Sequence, residues 1–195
     1  GHAKVLVSVL KKSGYLVVGY TDPRDRGAIL EAPYLGSDNT LREFVQQATQ
    51  AEAAIGVGKT DASDLRMRLA SAIRVLGLHL PLVISPQSVV NEEVELGLGT
   101  VVFDGAVVNS GTRTGELCIL NTGSTLDHDC VLGDNVHIAP GSTICGGVTI
   151  GSNCLIGSGA TVSHGVTICA DCLVGAGSTV VDDLLHAGTY VGSPV

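Results

Sequence analysis

The sequence predicts an α/β unit over residues 1–88 followed by a parallel β-helix over residues 89–195, and three observations carry that prediction. The first is a change of composition. Residues 1–88 hold 10 of the 11 Lys and Arg residues, 8 acids, 8 glycines and no cysteine. Residues 89–195 set Arg113 alone against 11 acids and hold 18 glycines and all six cysteines, so the two formal charges are +2 and −10. The second observation is a six-residue period. From Val90 to Val180, every sixth residue is Leu, Ile or Val at fifteen of sixteen positions, Thr114 being the exception. The third is that the residue four places after each of these, from Val94 to Ser178, is small or β-branched.

Composition also excludes several classes. With 45% hydrophobic and 15% charged residues, the 195-residue chain can bury enough surface to fold, which excludes disorder. Its 26 glycines keep no three-residue period and it has only 6 prolines, which excludes collagen. A net charge of −8 lacks the positive footprint of a nucleic-acid binder. The apolar runs are short and interrupted by Gly, Asn or Asp, so neither a membrane span nor a signal peptide is expected, and a cytoplasmic protein is the default.

Within the first unit, helix and strand patterns alternate. Residues Lys4 to Gly14 put Val5, Leu6, Val9 and Leu10 on one helical face, with Lys11 and Lys12 outside and Gly14 as the stop. A buried strand is expected over Leu16 to Tyr20, running into the Asp22-Pro23 turn. Thr40, with Glu43 completing a capping box, starts a helix through Ala48. Ala53 to Val57 reads as a second strand. Asp61 or Ser63 starts a helix carrying Leu65, Leu69, Ile73 and Leu76, and Leu80 to Ile84 is a third strand closed by Ser85-Pro86. Such alternation favours a small Rossmann-like parallel sheet with flanking helices. The given chain opens directly into a helix, without the strand and glycine turn that normally begin a βαβ nucleotide fold.

In the second unit, one large aliphatic and one small residue per six point inward, the small one where the chain turns a corner. Three hexads close a triangular coil of 18 residues, and fifteen intervals give five coils. Stacked at about 4.8 Å per coil, they form a prism roughly 24 Å long. Cys118, Cys130, Cys154 and Cys172 occupy the small inward position, where a thiol acts as a small hydrophobe. Cys145 and Cys169 each follow a period residue. Cys169, at a turn, and inward-facing Cys172 read as packing residues rather than as a metal or disulfide pair.

Stepping by 18 also sorts the histidines. His128, Gly146 and His164 fall in one column, whereas His137, half a coil from His128, falls on another side of the prism. One subunit does not bring His128 and His137 together; prisms packed around a three-fold axis would. His128 stands between Asp127 and Asp129. A carboxylate bonded to its imidazole would fix the tautomer and raise its basicity, as suits a general base. One coil above, Gly146-Gly147 offers unobstructed backbone N–H groups for an oxyanion. His79, His164 and His186 read as surface or structural residues. A metal site from His128, His137 and His164 would draw on two sides of the prism, and no two histidines have the H-x4-H spacing used by γ-type carbonic anhydrases on this helix. No metal is therefore expected.

The run Asn121-Thr122-Gly123-Ser124-Thr125-Leu126-Asp127-His128-Asp129-Cys130 and the opening Gly1-His2-Ala3-Lys4-Val5 resemble the bacterial nucleotide-sugar N-acetyltransferases, hexapeptide-repeat enzymes that acetylate 4-amino-4,6-dideoxy sugars. The resemblance implies a left-handed helix, a homotrimer and acetyl-CoA as cosubstrate. It makes His128 the base for direct attack of the sugar amine on the thioester, with Asp129 raising its basicity. Asn121 and the Gly146 amide would lie near the acetyl group, and His137, Ser158 and Ala176 would line the CoA channel between subunits. The nucleotide-linked amino sugar would meet Gly1 and His2 at its phosphates and Asp22 at its base or ribose, with Gly58 and Lys59 alongside. Alternatives of other kinds are sugar O-acetylation, as in the sialic-acid relatives, and a non-catalytic β-helix that binds a ligand. Departures from the family pattern are the missing strand and glycines before Gly1, Ile84-Ser85-Pro86 in place of Ile-His-Pro, and a chain that stops at Val195.

Overall fold

A computed structural model describes residues 1–47, 51–61 and 63–195. Residues 83–190 form a parallel β-solenoid whose strands stack in three faces. The first face has seven strands: Val83–Ile84, Val101–Val102, Ile119–Leu120, His137–Ile138, Leu155–Ile156, Cys172–Val174 and Gly188–Tyr190. The second has six, from Val89–Val90 to Thr179–Val180, and the third has four, from Arg113–Thr114 to Thr167–Ile168. Register runs in steps of 18, as in Ile119 opposite His137 and Thr125 opposite Thr143. Seven stacked strands span six turns, one more than the period suggested. The extra turn arises because Val83–Ile84 pairs with Val101–Val102, and because Gly188–Tyr190 joins after a shortened coil in which Cys172 faces Gly188.

The interior is built as the period requires. Val102, Leu120, Ile138, Ile156 and Val174 are fully buried, and Cys118, Cys130, Cys154 and Cys172 pack among them. Each large side chain contributes about 1.5–3 kcal/mol relative to exposure. Thr114 lies on the end strand of the third face, where the chain beneath pairs only through the isolated Glu95–Arg113 bridge, and its hydroxyl accepts the Gly97 N–H. The corners fall one residue earlier than expected. The residue with positive φ is the third after each period residue, at all fifteen places from Glu93 to Gly177, and nine of these are glycine. All six cysteines are free thiols, and Cys169, expected at a turn, and Cys172, expected inward, bring their sulfurs to 3.5 Å across the Ala170-Asp171 corner.

Helices α1 (His2–Lys12), α2 (Leu41–Gln47) and α3 (Leu65–Val75) belong to the N-terminal part. In α1, Leu6, Val7 and Val9 are buried, while Val5, expected on the apolar face, is 43% exposed. Lys11 and Lys12 occupy its last turn, where positive charge suits the helix dipole. Leu6 and Val9 pack on the outer side of the first face against Val83, Val101, Phe103 and Ile119. Strands there are consequently buried on both sides, at Val101–Val102, Ile119–Leu120 and His137–Ile138, whereas the other two faces bury mainly the inward residue. A second cluster joins Ile55, Ala70 and Leu80 to Leu117 of a solenoid corner.

Several local expectations need correction. Leu16 to Tyr20 is extended but forms only the isolated Tyr20–Tyr34 parallel bridge, and Leu16 is 88% exposed, because no described strand lies beside it. Residues 53–57 are likewise extended next to a single parallel bridge, Glu52–His79, although Ile55 is buried. The strand expected over 80–84 narrows to Val83–Ile84 and pairs with the solenoid. Thr40 lies inside a 3-10 turn, Asp38–Thr40, and its hydroxyl donates to the carbonyls of Leu35 and Ser37 instead of capping α2. Ala48, the expected end of that helix, lies outside the described residues. Helix α3 begins after Asp64, and it buries Arg66 and Ala70 more deeply than Leu65.

Coils approach most closely at the glycine after the period residue. A Cβ on Gly133 would stand 2.6 Å from the Ser152 backbone nitrogen, whereas one on Gly141 would meet nothing within 4 Å. Gly133→Ala is therefore expected to cost about 2 kcal/mol or more through overpacking. Gly141→Ala carries only the positive-φ penalty of about 1 kcal/mol. Thermal unfolding of the two variants should give that order.

Candidate active site

His128 and Asp129 occupy the corner that follows the second-face strand Thr125–Leu126. Asp129 has φ +57°, and its Oδ2 lies 2.9 Å from His128 Nδ1. This contact leaves Nε2 as the atom to exchange a proton. The imidazole side chain is 55% exposed, so reactants have access to it. The Asp129 hydrogen bond, followed by the Asp127 charge, pushes its pKa above the ordinary histidine value.

The coil below holds this corner residue by residue. Asn109 Nδ2 donates to Asp127 Oδ1, the Asp129 N–H donates to the Ser110 carbonyl, and the Thr112 hydroxyl donates to the Asp127 carbonyl while accepting from the Cys130 N–H. Above, Gly146 lies against the ring. A Cβ there would stand 2.5 Å from His128 Nε2, so the imidazole has its position only because residue 146 is glycine. His164 follows at a ring-centroid distance of 6.3 Å.

A second group forms on the first face. His137 is buried. Its Nδ1–H donates to the Lys59 carbonyl at 2.7 Å, and its Nε2 accepts from Asn121 Nδ2 at 2.9 Å. A Cβ on Gly58 would meet the His2 side chain at 3.2 Å, and the His2 ring stands edge-on to Phe103. Burial pushes the pKa of both His2 and His137 down to about 4, helped by the Arg66 charge. Lys59, also lowered by burial, donates to the Asp61 carbonyl and to Asn153 Oδ1. Arg66 was not anticipated from the sequence. It is 2% exposed and donates to the Val57 and Leu117 carbonyls, bolting the N-terminal part to a solenoid corner. An arginine in the first turn of a helix carries no sequence mark of burial.

The chain thus gathers Gly58, Lys59, His2, His137 and Asn121 in one place and His128, Asp129 and Gly146 in another. The two groups lie on different faces. Ser158 and Ala176 are exposed, and the Ser158 carbonyl accepts the N–H of Gly177, next to Ala176. Gly1 is exposed at the start of α1. Asp22 lies apart from both groups, in a loop with Arg24 and Arg26. Among the described residues, no group of three or more His, Cys, Asp or Glu is placed to hold a metal ion.

A solenoid of 18-residue coils with a carboxylate-bonded, exposed histidine on one corner defines a transferase scaffold of the hexapeptide-repeat kind, and known proteins agree. The family described as Bacterial transferase hexapeptide (six repeats) matches residues 111–146 and 147–182, and the PglD N-terminal domain matches residues 1–71. No curated protein matches the chain. Among solved structures, PerB from Caulobacter crescentus, in complex with CoA and GDP-perosamine, is 38% identical with a TM-score of 0.92, covering 98% of this chain and 90% of that one. The acetyltransferase domain of PglB from Neisseria gonorrhoeae is 32% identical with a TM-score of 0.91, covering 98% of this chain and 92% of that one. The same domain, solved with acetyl coenzyme A, is 30% identical with a TM-score of 0.89, again covering 98% and 92%. The chain belongs to the hexapeptide-repeat acetyltransferases that carry a PglD-type N-terminal domain. It is an acyltransferase, and its solenoid is the left-handed β-helix of that family. No helix among the described residues is long and apolar enough to cross a membrane.

The buried histidines give a stability prediction. In the folded chain His2 and His137 stay neutral down to about pH 4, while in the unfolded chain they take up protons below about 6.5. The unfolded state therefore binds more protons, and stability falls as pH drops from about 6.5 to 4. Each group contributes at most about 1.4 kcal/mol per pH unit. Denaturant unfolding across that range should show the fall. His137→Asn should flatten it by about one proton, and an unchanged slope would contradict the assignment.

Proposed function

We propose that the chain transfers the acetyl group of acetyl-CoA to the amine of a nucleotide-linked 4-amino-4,6-dideoxy sugar, with His128 as general base. The observation that carries this reading is the exposed His128, whose Nδ1 is engaged by Asp129 and whose Nε2 lies where a side chain on Gly146 would stand. The relatives supply the substrate class: PerB was solved with CoA and GDP-perosamine, and the PglB domain with acetyl-CoA. In the proposed reaction, the amine nitrogen attacks the thioester carbonyl while His128 Nε2 takes its proton. The tetrahedral oxyanion is met by the Gly146 N–H. Collapse then breaks the C–S bond, and the departing CoA thiolate receives the proton from His128, leaving an amide. A base raised above the ordinary histidine value is matched to a proton transfer near neutral pH.

Supporting a homotrimer, His128 and His137 lie on different faces of one chain, and prisms around a three-fold axis would set His128 beside the partner subunit's His137. Asn121, His137, Ser158 and Ala176 would then border the CoA channel. Gly1, His2, Asp22, Gly58 and Lys59 would hold the nucleotide. Residues 1–88 would form the nucleotide-sugar domain and residues 89–195 the acetyl-CoA domain, in a cytoplasmic enzyme.

Thiol release from acetyl-CoA, followed with GDP-, UDP- or dTDP-linked 4-amino-4,6-dideoxy sugars, tests the reading. His128→Ala should lower kcat by about 10²–10⁴-fold, the usual worth of a general base. Undiminished turnover would overturn the assignment, and acetylation of a hydroxyl instead of the amine would move the enzyme to the O-acetyl class.

A further inference from the structure

On the corner beneath His128, three outward residues spaced by 18 form a hydrogen-bonded column. Asn91 Nδ2 donates to Asn109 Oδ1 at 2.8 Å, and Asn109 Nδ2 donates to Asp127 Oδ1 at 2.9 Å. That same Asp127 oxygen accepts the His128 backbone N–H at 2.9 Å. A carboxylate only accepts, so Asn109 must turn its NH₂ upward, and Asn91 must do the same. The direction of the ladder is therefore fixed by its last rung. One and two coils higher the column continues as Cys145 and Ser163, so the run of amide and carboxylate side chains stops at the coil that carries the base.

We propose that Asn109 is a positioning residue of the acetyl-transfer site, holding the Asp127 carboxylate under the His128 backbone so that the imidazole stands between two carboxylates. The inference rests on the reading of His128 as the base. Of the groups facing the ring, Asp127 and Asp129 share its corner, while Gly146 lies against it from above and His164 stands at a centroid distance of 6.3 Å. Asn109, Ser110 and Gly111, from the coil below, carry no charge. Glu93, Glu95 and Arg113 share a groove with Asp129, and Arg113 pairs with Glu95. Loss of the Asn109 amide frees Asp127 to turn to solvent, which removes negative charge from beside the ring and makes His128 a weaker base.

The fold contains its own control. On another corner, Asn135 Nδ2 donates to Asn153 Oδ1 and Asn153 Nδ2 to Asp171 Oδ1, the same sequence of rungs with no histidine beside its carboxylate end. The pH profile of kcat/KM, measured on the full chain with acetyl-CoA and its amino-sugar nucleotide, tests the proposal. Asn109→Ala should reduce kcat about tenfold, less than loss of the base itself. It should leave KM for acetyl-CoA unchanged and move the acidic limb to lower pH. Asp127→Asn keeps the shape of the ladder, removes its charge and should move the limb the same way. Asn135→Ala should lower the melting temperature and leave the limb in place. An unmoved limb in both Asn109→Ala and Asp127→Asn, with His128→Ala inactive, overturns this inference alone. Turnover intact in His128→Ala overturns the base reading and this inference with it.

Discussion

Every sixth residue of the solenoid adopts a left-handed backbone conformation, and the rest of the molecule depends on that repeated corner. Parallel strands of two residues are too short to hold together alone; they persist because each is stacked on a copy of itself 18 residues away. The corner must recur without a slip, since a one-residue shift would turn the aliphatic side chains outward. Glycine meets the requirement at nine of fifteen corners, and Asp or Asn, which tolerate positive φ, at four more. Leu117 is the costly case, at about 1–3 kcal/mol for a bulky residue in this conformation. Its side chain packs with Ile55, Ala70 and Leu80, so that strain is held where the N-terminal part docks.

The same corner shapes the chemistry. Asp129 takes the positive-φ position immediately after His128, and its carboxylate bonds the imidazole of its own corner. Stacking then supplies what a loop would lack: a hydrogen-bonded coil beneath the dyad and a glycine above it. Elsewhere, the N-terminal part covers the first face and turns an outward strand position into a buried one. His137 thereby becomes a neutral imidazole locked between Lys59 and Asn121, while His128, on an uncovered corner, becomes basic. Two histidines nine residues apart thus differ because one face is covered and one corner is not.

The solenoid was legible because a strict period leaves little choice: inward residues, stacked columns and the separation of His128 from His137 all follow from counting. The corner was read one residue late because the small inward residue is conspicuous and the glycine before it is not uniformly glycine. Asn109 was within reach of the same arithmetic, 18 residues before Asp127, but a lone asparagine carries no sign that its amide is engaged. The N-terminal part was less legible for a physical reason. Its extended segments and helices take their burial from the solenoid, through Val83, Phe103 and Leu117, so local periodicity misplaced Val5 on the buried face and left Arg66 unnoticed. Hexad positions place Cys169 at a turn and Cys172 inward, and they do not show that the tight corner between them brings the two sulfurs to 3.5 Å.

The central claim is that the coils leave His128 an exposed base on a corner, while docking of the N-terminal part makes His137 and its own His2 buried neutral rings. Nuclear magnetic resonance titration of the individual imidazoles in the full chain tests it most directly. His128 should titrate above the ordinary value of about 6.5, and His2 and His137 should stay neutral down to about pH 4. A His128 that titrates below about 6.5, or a His137 that protonates near it, would contradict the claim.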